Sequence, residues 1–340
     1  MGKFLESERD RQARFKQASA DFSGAARQNG AYAGQPRPFC LPPSLAKENL
    51  FSGIRAEADE WFYHHKIKWQ DGLNGRPSNH LCDSQVCCVN FLFAFTAQPE
   101  SLATLLKPIF PESKQMLPVE DGKFVTFAWI GKKNYLNERV RPEGSRTRGA
   151  NFTSADAAVR FERADGRKQI VLIDWKYTES YHSIHLKADP SGKDRTAIYR
   201  ELFEKVDCPI NKIVLPSFET LLFEPFYQLM RQQLLAHAME KAGELDADIV
   251  SLLHIAPAHN TDYRKVTSPG LKPLGDTATS VWARLVSPVA DGVDRFQHVG
   301  TEGLFAPLLV APPSGMDPWA EYLKARYPWL AEATVPSAPH

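Results

Sequence analysis

The chain has 340 residues, 43% of them hydrophobic, and a net charge of +1. This length and apolar content are enough for one large domain or two, each with a true core. The near-zero charge excludes a general attraction to nucleic acid, so any such binding must depend on a local basic patch.

No segment is typical of a membrane span or an export signal. The longest apolar stretches, such as 249–255, are much shorter than the roughly 20 residues that cross a bilayer, and residues 1–21 are charged. We therefore expect a cytoplasmic protein without membrane association. The odd number of cysteines, with no paired metal knuckles, predicts free thiols. The less favoured alternative is a zinc site formed by His80, Cys82, Cys87 and Cys88.

The N-terminal third begins with a charged, helix-favouring segment to about residue 28, followed by a Gly- and Pro-rich linker to residue 43. We expect this segment to be an appendage or mobile. A helix is predicted over 44–69 from the spacing of its apolar residues. Within it Glu57 and Glu60, three residues apart, share one face.

A second helix is predicted over 83–95, capped by Asp83 or Ser84. Its polar residues Gln85 and Asn90 either reach a DNA strand or metal-bound water, or are satisfied buried amides. The apolar segment 123–130 is typical of a strand.

A basic segment follows between residues 132 and 148, with six basic residues against two acids. It leads directly into the next predicted strand, 153–161. One hypothesis is that Arg146 and Arg148 guide a phosphate backbone toward that strand. The alternative is a solvated loop without a binding role.

The segment 171–179, VLIDWKYTE, is the strongest functional signal. It reads as a strand joined to 153–161 by a polar turn at 164–169. Since side chains at i and i+2 share a face of a strand, Asp174 and Lys176 should project together, with Trp175 on the other face. Asp156 would lie on the neighbouring strand.

Two carboxylates on adjacent strands suit Mg²⁺, which prefers a few carboxylates and keeps several waters. Such an ion polarises a phosphoryl oxygen and activates water, and Lys176 could orient that water or offset charge on the phosphate. The acid-x-Lys pattern alone is weak, because it also occurs at Glu112 and Asp121 outside apolar strands. A solvated ion pair at a strand end is the alternative.

The segments GANFTSADAAVRF and VLIDWKYTESY resemble the core of the PD-(D/E)XK nuclease superfamily, and more narrowly a family of bacterial restriction endonucleases. The similarity extends to IRAEADEWFYHHKIKW, NHLCDSQVCCVNFLF and PFYQLMRQQLLAHAMEKA, and so covers about two-thirds of the chain. Ala155 stands where the superfamily usually has proline.

This resemblance implies a catalytic set. Asp156, Asp174 and the carbonyl of Trp175 would bind Mg²⁺, with Mn²⁺ able to substitute, and Lys176 would serve the attacking water. A further catalytic and metal-binding acid is expected from a helix before the sheet, with Glu57 as first choice and Glu60 as second.

The resemblance also implies a supporting helix after the catalytic strand. On the predicted helix 225–242, Gln228, Arg231 and Gln232 share one face. They would orient the site, and the alternative is a plain amphipathic helix without a role there. The predicted nucleic-acid contacts are Gln85, Arg146, Arg148, Gln228 and Arg231. Glu179 is either a further acid or a strand-end cap.

The predicted fold class is α/β, with a restriction-endonuclease-like core in which a central mixed β-sheet is flanked by helices, plus extra N-terminal and C-terminal helical segments. The expected divisions are 1–43, a nuclease core at 44–260, and an extension at 261–340 packed on the core. The implied function is a Mg²⁺-dependent DNA endonuclease in restriction or phage defence, and cutting both strands would favour a homodimer. The alternatives are a non-catalytic DNA-binding or scaffold protein with the same fold, and an unrelated enzyme.

Overall fold

The protein is built around one mixed β-sheet with helices on both faces. The computed structural model describes residues 2–138, 146–150, 152–186 and 196–332. In these ranges the helices are α1 Lys3–Ala18, α2 Arg55–His64, α3 Ser84–Leu92, α4 Pro99–Leu106, α5 Ala197–Glu204, α6 Phe226–Lys241, α7 Ala278–Leu285, α8 Thr301–Val310, α9 Asp317–Arg326 and α10 Trp329–Glu332. The strands are β1 Gly30–Tyr32, β2 Gln35–Arg37, β3 Ser113–Leu117, β4 Val125–Trp129, β5 Ala155–Arg163, β6 Lys168–Trp175, β7 Ile249–Ala256 and β8 Phe296–Gly300.

The central sheet has six strands in the order β3-β5-β6-β7-β8, with β4 also paired to β5. Both β3 and β4 are antiparallel to β5, and they pair with different halves of it. β5 and β6 form an antiparallel pair, whereas β6, β7 and β8 are parallel. The parallel step from β6 to β7 needs a long crossover, which contains α5 and α6. This architecture confirms the predicted α/β fold with a mixed, helix-flanked sheet.

The alternation of side chains along β6 divides the core into two layers. Ile173 and Trp175 pack toward α3 and α8, where Trp175 contacts Phe91 with ring centroids 5.0 Å apart. Leu172 lies on the opposite face with Met230 of α6. Asp174, two residues beyond Leu172, therefore belongs to the face covered by α6.

The first and last described helices, α1 and α10, contribute to this core. Phe4 and Phe15 of α1 are buried in the main hydrophobic cluster, and Gln12 donates a 3.1 Å hydrogen bond to the Tyr177 hydroxyl. The N-terminal helix is thus not the appendage expected from its charge. The C-terminal part of the chain supplies β8, an edge strand not predicted from the sequence.

The helix predicted over 44–69 is interrupted. A 3₁₀ segment at Pro43–Asn49 is followed by a turn containing Gly53, and only then does α2 begin. Beyond α2, Lys66 has a φ of 51°, in the left-handed region, which an α-helix cannot continue through. None of the helices in the described part of the chain has both the length and the apolar character needed to cross a membrane.

Candidate active site

Four polar side chains lie side by side across the sheet. The register pairs Asp174 with His254 and His254 with His298. The β5–β6 register reaches Ala157 opposite Ile173, so Asp156 and Asp174 are the next pair along. Because directly opposed residues project from the same face, Asp156, Asp174, His254 and His298 form one line beneath α6, with about 4.8 Å between strands. We call these four residues the polar row.

The polar row stands where the apolar part of the parallel strands ends. Asp174 follows the buried run 170–173 of β6, and His254 lies near the carboxyl end of β7. In α/β sheets the carboxyl ends of parallel strands are the usual location of functional groups. The position of the row is therefore that of a binding site.

Asp174 is held by four side chains. Its Oδ1 accepts hydrogen bonds from Lys176 Nζ at 2.6 Å, Gln228 Nε2 at 3.1 Å and Gln232 Nε2 at 3.0 Å, while Oδ2 lies 2.7 Å from His254 Nδ1. The Asp174 side chain is 0% exposed and that of Lys176 is 4% exposed. A solvated surface ion pair, the alternative considered for this tripeptide, is excluded.

Charge pairing decides the ionisation of this buried pair. Burial alone would raise the pKa of Asp174, but the Lys176 ammonium and His254 outweigh it and bring the pKa below its usual range. Burial lowers the pKa of Lys176, yet the Asp174 carboxylate more than compensates and the pKa lies well above the ordinary value. Both groups are therefore charged at neutral pH.

Asp156 differs from Asp174 in its bonding. Its Oδ2 accepts a 2.7 Å hydrogen bond from the backbone N–H of Trp175, and among the described residues no hydrogen bond reaches Oδ1. Burial raises its pKa to about 7, Lys176 acts in the opposite direction, and Asp174 raises the pKa further. Asp156 thus presents an open oxygen beside a second carboxylate.

The carboxylates of Asp156 and Asp174 are suitable ligands for a divalent cation. Two carboxylates from neighbouring strands are hard oxygen ligands of the kind Mg²⁺ and Mn²⁺ take. The repulsion that helps to hold the pKa of Asp156 near 7 would be relieved by a cation between the two acids. The backbone of Trp175 runs between them, with its ring anchored in the core.

Two further acids flank the site. Glu179 Oε2 accepts a hydrogen bond from the Tyr177 N–H at 2.6 Å, as a strand-end cap would. The Glu179 carboxylate also contributes to the raised pKa of Asp156. Glu224 Oε2 accepts from the Gln228 N–H at 3.3 Å at the start of α6. Burial raises the pKa of Glu224, Lys176 opposes this and Asp174 adds to it, so Glu224 lies within the field of the ion pair.

Neither Glu224 nor His254 is flagged by sequence reasoning. Glu224 precedes Pro225 at the start of α6, where an acid reads as an ordinary helix cap. His254 interrupts an otherwise apolar strand, a weak signal that gains meaning only from its register with Asp174. Both depend on contacts with residues that are distant in the chain, about fifty residues away for Glu224 and 80 for His254.

The structure does not bring Glu57 or Glu60 to the polar row. The buried face of α2 is formed by apolar residues such as Ala58 and Phe62, which leaves both glutamates on the exposed face. Glu57 forms an ion pair with Lys123 at 2.6 Å. Lys123 lies just before Val125, the β4 residue that pairs with Val159 of β5. The expectation of a third metal ligand from α2 is corrected accordingly.

Two arginines of the basic segment donate hydrogen bonds to backbone carbonyl groups. Arg148 is buried and donates to the carbonyl of Phe127 and, at 2.7 Å, to Glu120 Oε2. Arg146 donates to the carbonyl of Ile130 at 2.7 Å. The prediction that Arg148 contacts a phosphate is wrong, because the N–H groups of its guanidinium already donate hydrogen bonds to partners inside the protein. Arg139 and Arg141 lie outside the described residues.

The other residues predicted to contact nucleic acid are Gln85, Arg231 and Gln228, and each forms hydrogen bonds within the protein. Gln85 accepts from the Gln70 N–H at 2.8 Å and donates to the Lys68 carbonyl at 3.2 Å, so it ties a loop to α3. Arg231, 25% exposed, donates to Thr153 Oγ1 at 2.9 Å just before β5. Of this group, Gln228 reaches the site directly through Asp174.

A separate set of possible metal ligands lies elsewhere in the described chain. Donor atoms of His64, His65 and Asp121 lie within 4.8 Å of one another. His65 Nε2 is 3.4 Å from Asp121 Oδ2, and both His64 and Asp121 are exposed. This surface cluster contains none of the residues of the polar row.

The cysteines do not form a metal site with His80. All five are buried and unpaired. His80 Nδ1 accepts from the Cys82 N–H at 3.0 Å, so this nitrogen is already used by the backbone. Burial raises the pKa of Cys87 to about 12, which keeps its thiol protonated. The burial of all five agrees with the predicted role of the cysteines as small apolar core side chains.

The fold and the polar row define an α/β protein with a restriction-endonuclease-like core. The model of the family described as Restriction Endonuclease associating with ARP matches residues 9–328. The chain belongs to this family, which gives it a nuclease-related role. Neither the curated proteins nor the solved structures contain a match to the chain.

Proposed function

We propose that this protein is a Mg²⁺-dependent DNA endonuclease of the PD-(D/E)XK type that hydrolyses phosphodiester bonds. One observation carries the proposal: Asp156 and Asp174 meet on neighbouring strands, with Lys176 bonded to Asp174 in a buried pocket. This is the acid, acid and lysine set of that superfamily. Restriction or phage defence is the role that the family suggests.

Asp156, Asp174 and the Trp175 carbonyl are the groups proposed to hold Mg²⁺ or Mn²⁺. When bound, the ion would polarise a phosphoryl oxygen and activate a water molecule. Asp156 must be ionised to serve as a ligand, and its pKa of about 7 places this change near neutrality.

The other residues of the site position and balance charge. Gln228, Gln232 and His254 fix the Asp174 carboxylate in one orientation, so little reorganisation is needed when substrate binds. Lys176 places a permanent positive charge beside this carboxylate, where it can offset negative charge developing on a phosphate. Arg231, partly exposed next to Thr153, offers a cation on the approach to β5.

Plasmid DNA cleavage tests this proposal most simply. Asp156→Asn is the informative variant, because asparagine can still accept the Trp175 N–H bond while losing the charge that holds a metal. Asp174→Ala is less suitable, because it leaves Lys176 buried without its counter-charge. We expect the wild type to nick or cut plasmid DNA with Mg²⁺, and Asp156→Asn to lose at least about 100-fold in rate.

The matched control is Asp165→Asn, which removes an exposed acid from the turn of the same β5–β6 hairpin. This variant should cleave like the wild type. Equal cleavage by the wild type and Asp156→Asn, or cleavage that persists in EDTA, would refute the proposal.

A second candidate function is a DNA-binding or scaffold protein without catalysis. It is favoured by the complete burial of Asp174, whose two oxygens already have four side-chain partners. This candidate requires salt-sensitive DNA binding that does not respond to Mg²⁺, together with no cleavage of duplex or single-stranded DNA.

A further inference from the structure

A cavity adjoins the polar row on the side away from Asp156. It has a volume of about 220 Å³ and lies at the carboxyl ends of β7 and β8. Its polar lining consists of His254, Tyr263, Arg264, Thr277, Thr279 and His298, and none of the acidic side chains that the structure describes lines it. The cavity is therefore basic and hydroxyl-rich, in contrast to the acidic half of the row.

His254 connects the cavity to the candidate active site. Its side chain is 2% exposed, and its Nδ1 lies 2.7 Å from the Asp174 carboxylate. Because an ionised carboxylate only accepts, Nδ1 carries the proton of this hydrogen bond. Nε2 is buried and has no hydrogen-bond partner among the described residues. A buried polar atom left unpaired is costly, so a ligand in the cavity would satisfy it.

The ring of His254 is fixed in this position. Tyr263 stacks on it with centroids 5.0 Å apart and planes inclined by 13°. Both rings line the cavity. The free nitrogen is thus held by packing on one side and by Asp174 on the other, as expected for a preformed binding group.

The charges around the cavity favour an anion. His298 lies opposite His254 in the register, and its pKa is lowered first by burial and then by its neighbours His254 and Arg264. Arg264 therefore supplies the permanent positive charge of a cavity in which the two histidines present ring nitrogens. Thr277, the N-cap of α7, brings the positive end of that helix to the cavity. An oxyanion with several acceptor oxygens would pair with the Arg264 guanidinium there.

We propose that this cavity binds a phosphate group through the Arg264 guanidinium and a ring N–H of His298, beside the unpartnered Nε2 of His254. The cavity begins one strand away from Asp174, a distance of about 5 Å. A nucleic acid that placed its scissile phosphate at Asp156 and Asp174 would therefore bring a neighbouring phosphate to the cavity. Inorganic phosphate is the other source of the same chemistry. The nucleic-acid source rests on the proposed function, whereas the phosphate site does not.

The experiment uses the full chain in metal-free buffer. Inorganic phosphate is titrated while the ring nitrogen signals of the histidines are followed by NMR, and the affinity for a fluorescein-labelled DNA duplex is measured by anisotropy. Arg264→Ala is compared with Lys265→Ala, which removes the same charge from the next residue, outside the cavity lining. We expect two histidine signals to shift with phosphate, and Arg264→Ala to weaken phosphate binding about tenfold.

The outcomes separate the two sources. A parallel loss of DNA affinity in Arg264→Ala assigns the cavity to a phosphate of the nucleic acid, and unchanged DNA affinity assigns it to inorganic phosphate. Arg264-dependent phosphate binding without any DNA cleavage by the wild type would support the site and defeat the nuclease proposal. The site is refuted if phosphate shifts no histidine signal, or if Arg264→Ala and Lys265→Ala weaken phosphate binding equally.

Discussion

The proposed role of Asp156 as a metal ligand requires an ionised carboxylate, and this charge lowers the stability of the metal-free folded protein. Burial raises its pKa to about 7, well above the value of about 4 that an aspartate has in an unfolded chain. A carboxyl group with a raised pKa in the folded state contributes stability that is complete below about pH 4 and is lost as the pH rises through about 7. At pH 8 the folded protein therefore carries a partly buried carboxylate at Asp156, which would cost less free energy as a neutral group.

This predicts that Asp156→Asn stabilises the metal-free protein at pH 8. Its melting temperature should exceed that of the wild type by several degrees, and the difference should shrink toward pH 4, where Asp156 is protonated. Thermal melts between pH 4 and 8 provide the measurement. The control Asp165→Asn should behave in the opposite way, because Arg167 lowers the pKa of Asp165 to about 2. A variant less stable than the wild type at pH 8 would contradict this account of Asp156.

At the scale of elements, β4 shows why Arg148 belongs to the structure. Ala128, the β4 residue opposite Asp156, has a φ of 46° in the left-handed region, which is costly for alanine. Arg148 donates to the carbonyl groups of Phe127 and Ala128 on either side of this kink. Its guanidinium thus supports the strand that borders Asp156.

We predict that Arg148→Ala costs about 2–4 kcal/mol in the free energy of unfolding, because buried carbonyls and Glu120 lose their partner. Urea denaturation measures this cost. Lys133→Ala, on the exposed part of the same basic segment, should leave the unfolding free energy within about 0.5 kcal/mol of the wild type. If Arg148→Ala unfolds like the wild type but loses DNA affinity, the arginine is a phosphate contact after all.

The elements most readily predicted from sequence are those with a strong apolar pattern. The hairpin β5–β6 and strand β7 follow from their hydrophobic runs, and alternation along the strand places Asp174 and Lys176 together. Strands β3 and β8 lie at the sheet edges, are partly exposed and carry polar residues, so their pattern is weak. Their pairing depends on distant partners rather than on local sequence.

Helix α1 shows a different reason for failure. Glu8, Gln12 and Lys16, spaced four residues apart, look like a solvated face, yet all three are fully buried. Each has a distant partner: the Tyr177 hydroxyl for Glu8 and Gln12, and the carbonyl of Cys40 for Lys16. Burial of a polar stripe becomes visible only when its hydrogen-bond partners from other elements are known.

At the scale of the whole molecule, the site is assembled from distant parts of the chain. The antiparallel strand supplies Asp156, the central strand Asp174, and the parallel strands His254 and His298. Sequence alone identifies the first two, because they lie on one hairpin. The histidines could not be predicted, since their place in the row depends on a register set by an intervening crossover of about seventy residues.

The central claim is that Asp156 and Asp174 form a divalent metal site, and Mn²⁺ binding measured by calorimetry tests it most directly. Three proteins are compared: the wild type, Asp156→Asn, and Asp121→Asn, which disables the separate cluster of His64, His65 and Asp121. We predict Mn²⁺ binding that Mg²⁺ competes away, that disappears in Asp156→Asn, and that survives in Asp121→Asn. Binding that is kept in Asp156→Asn and lost in Asp121→Asn would contradict the claim.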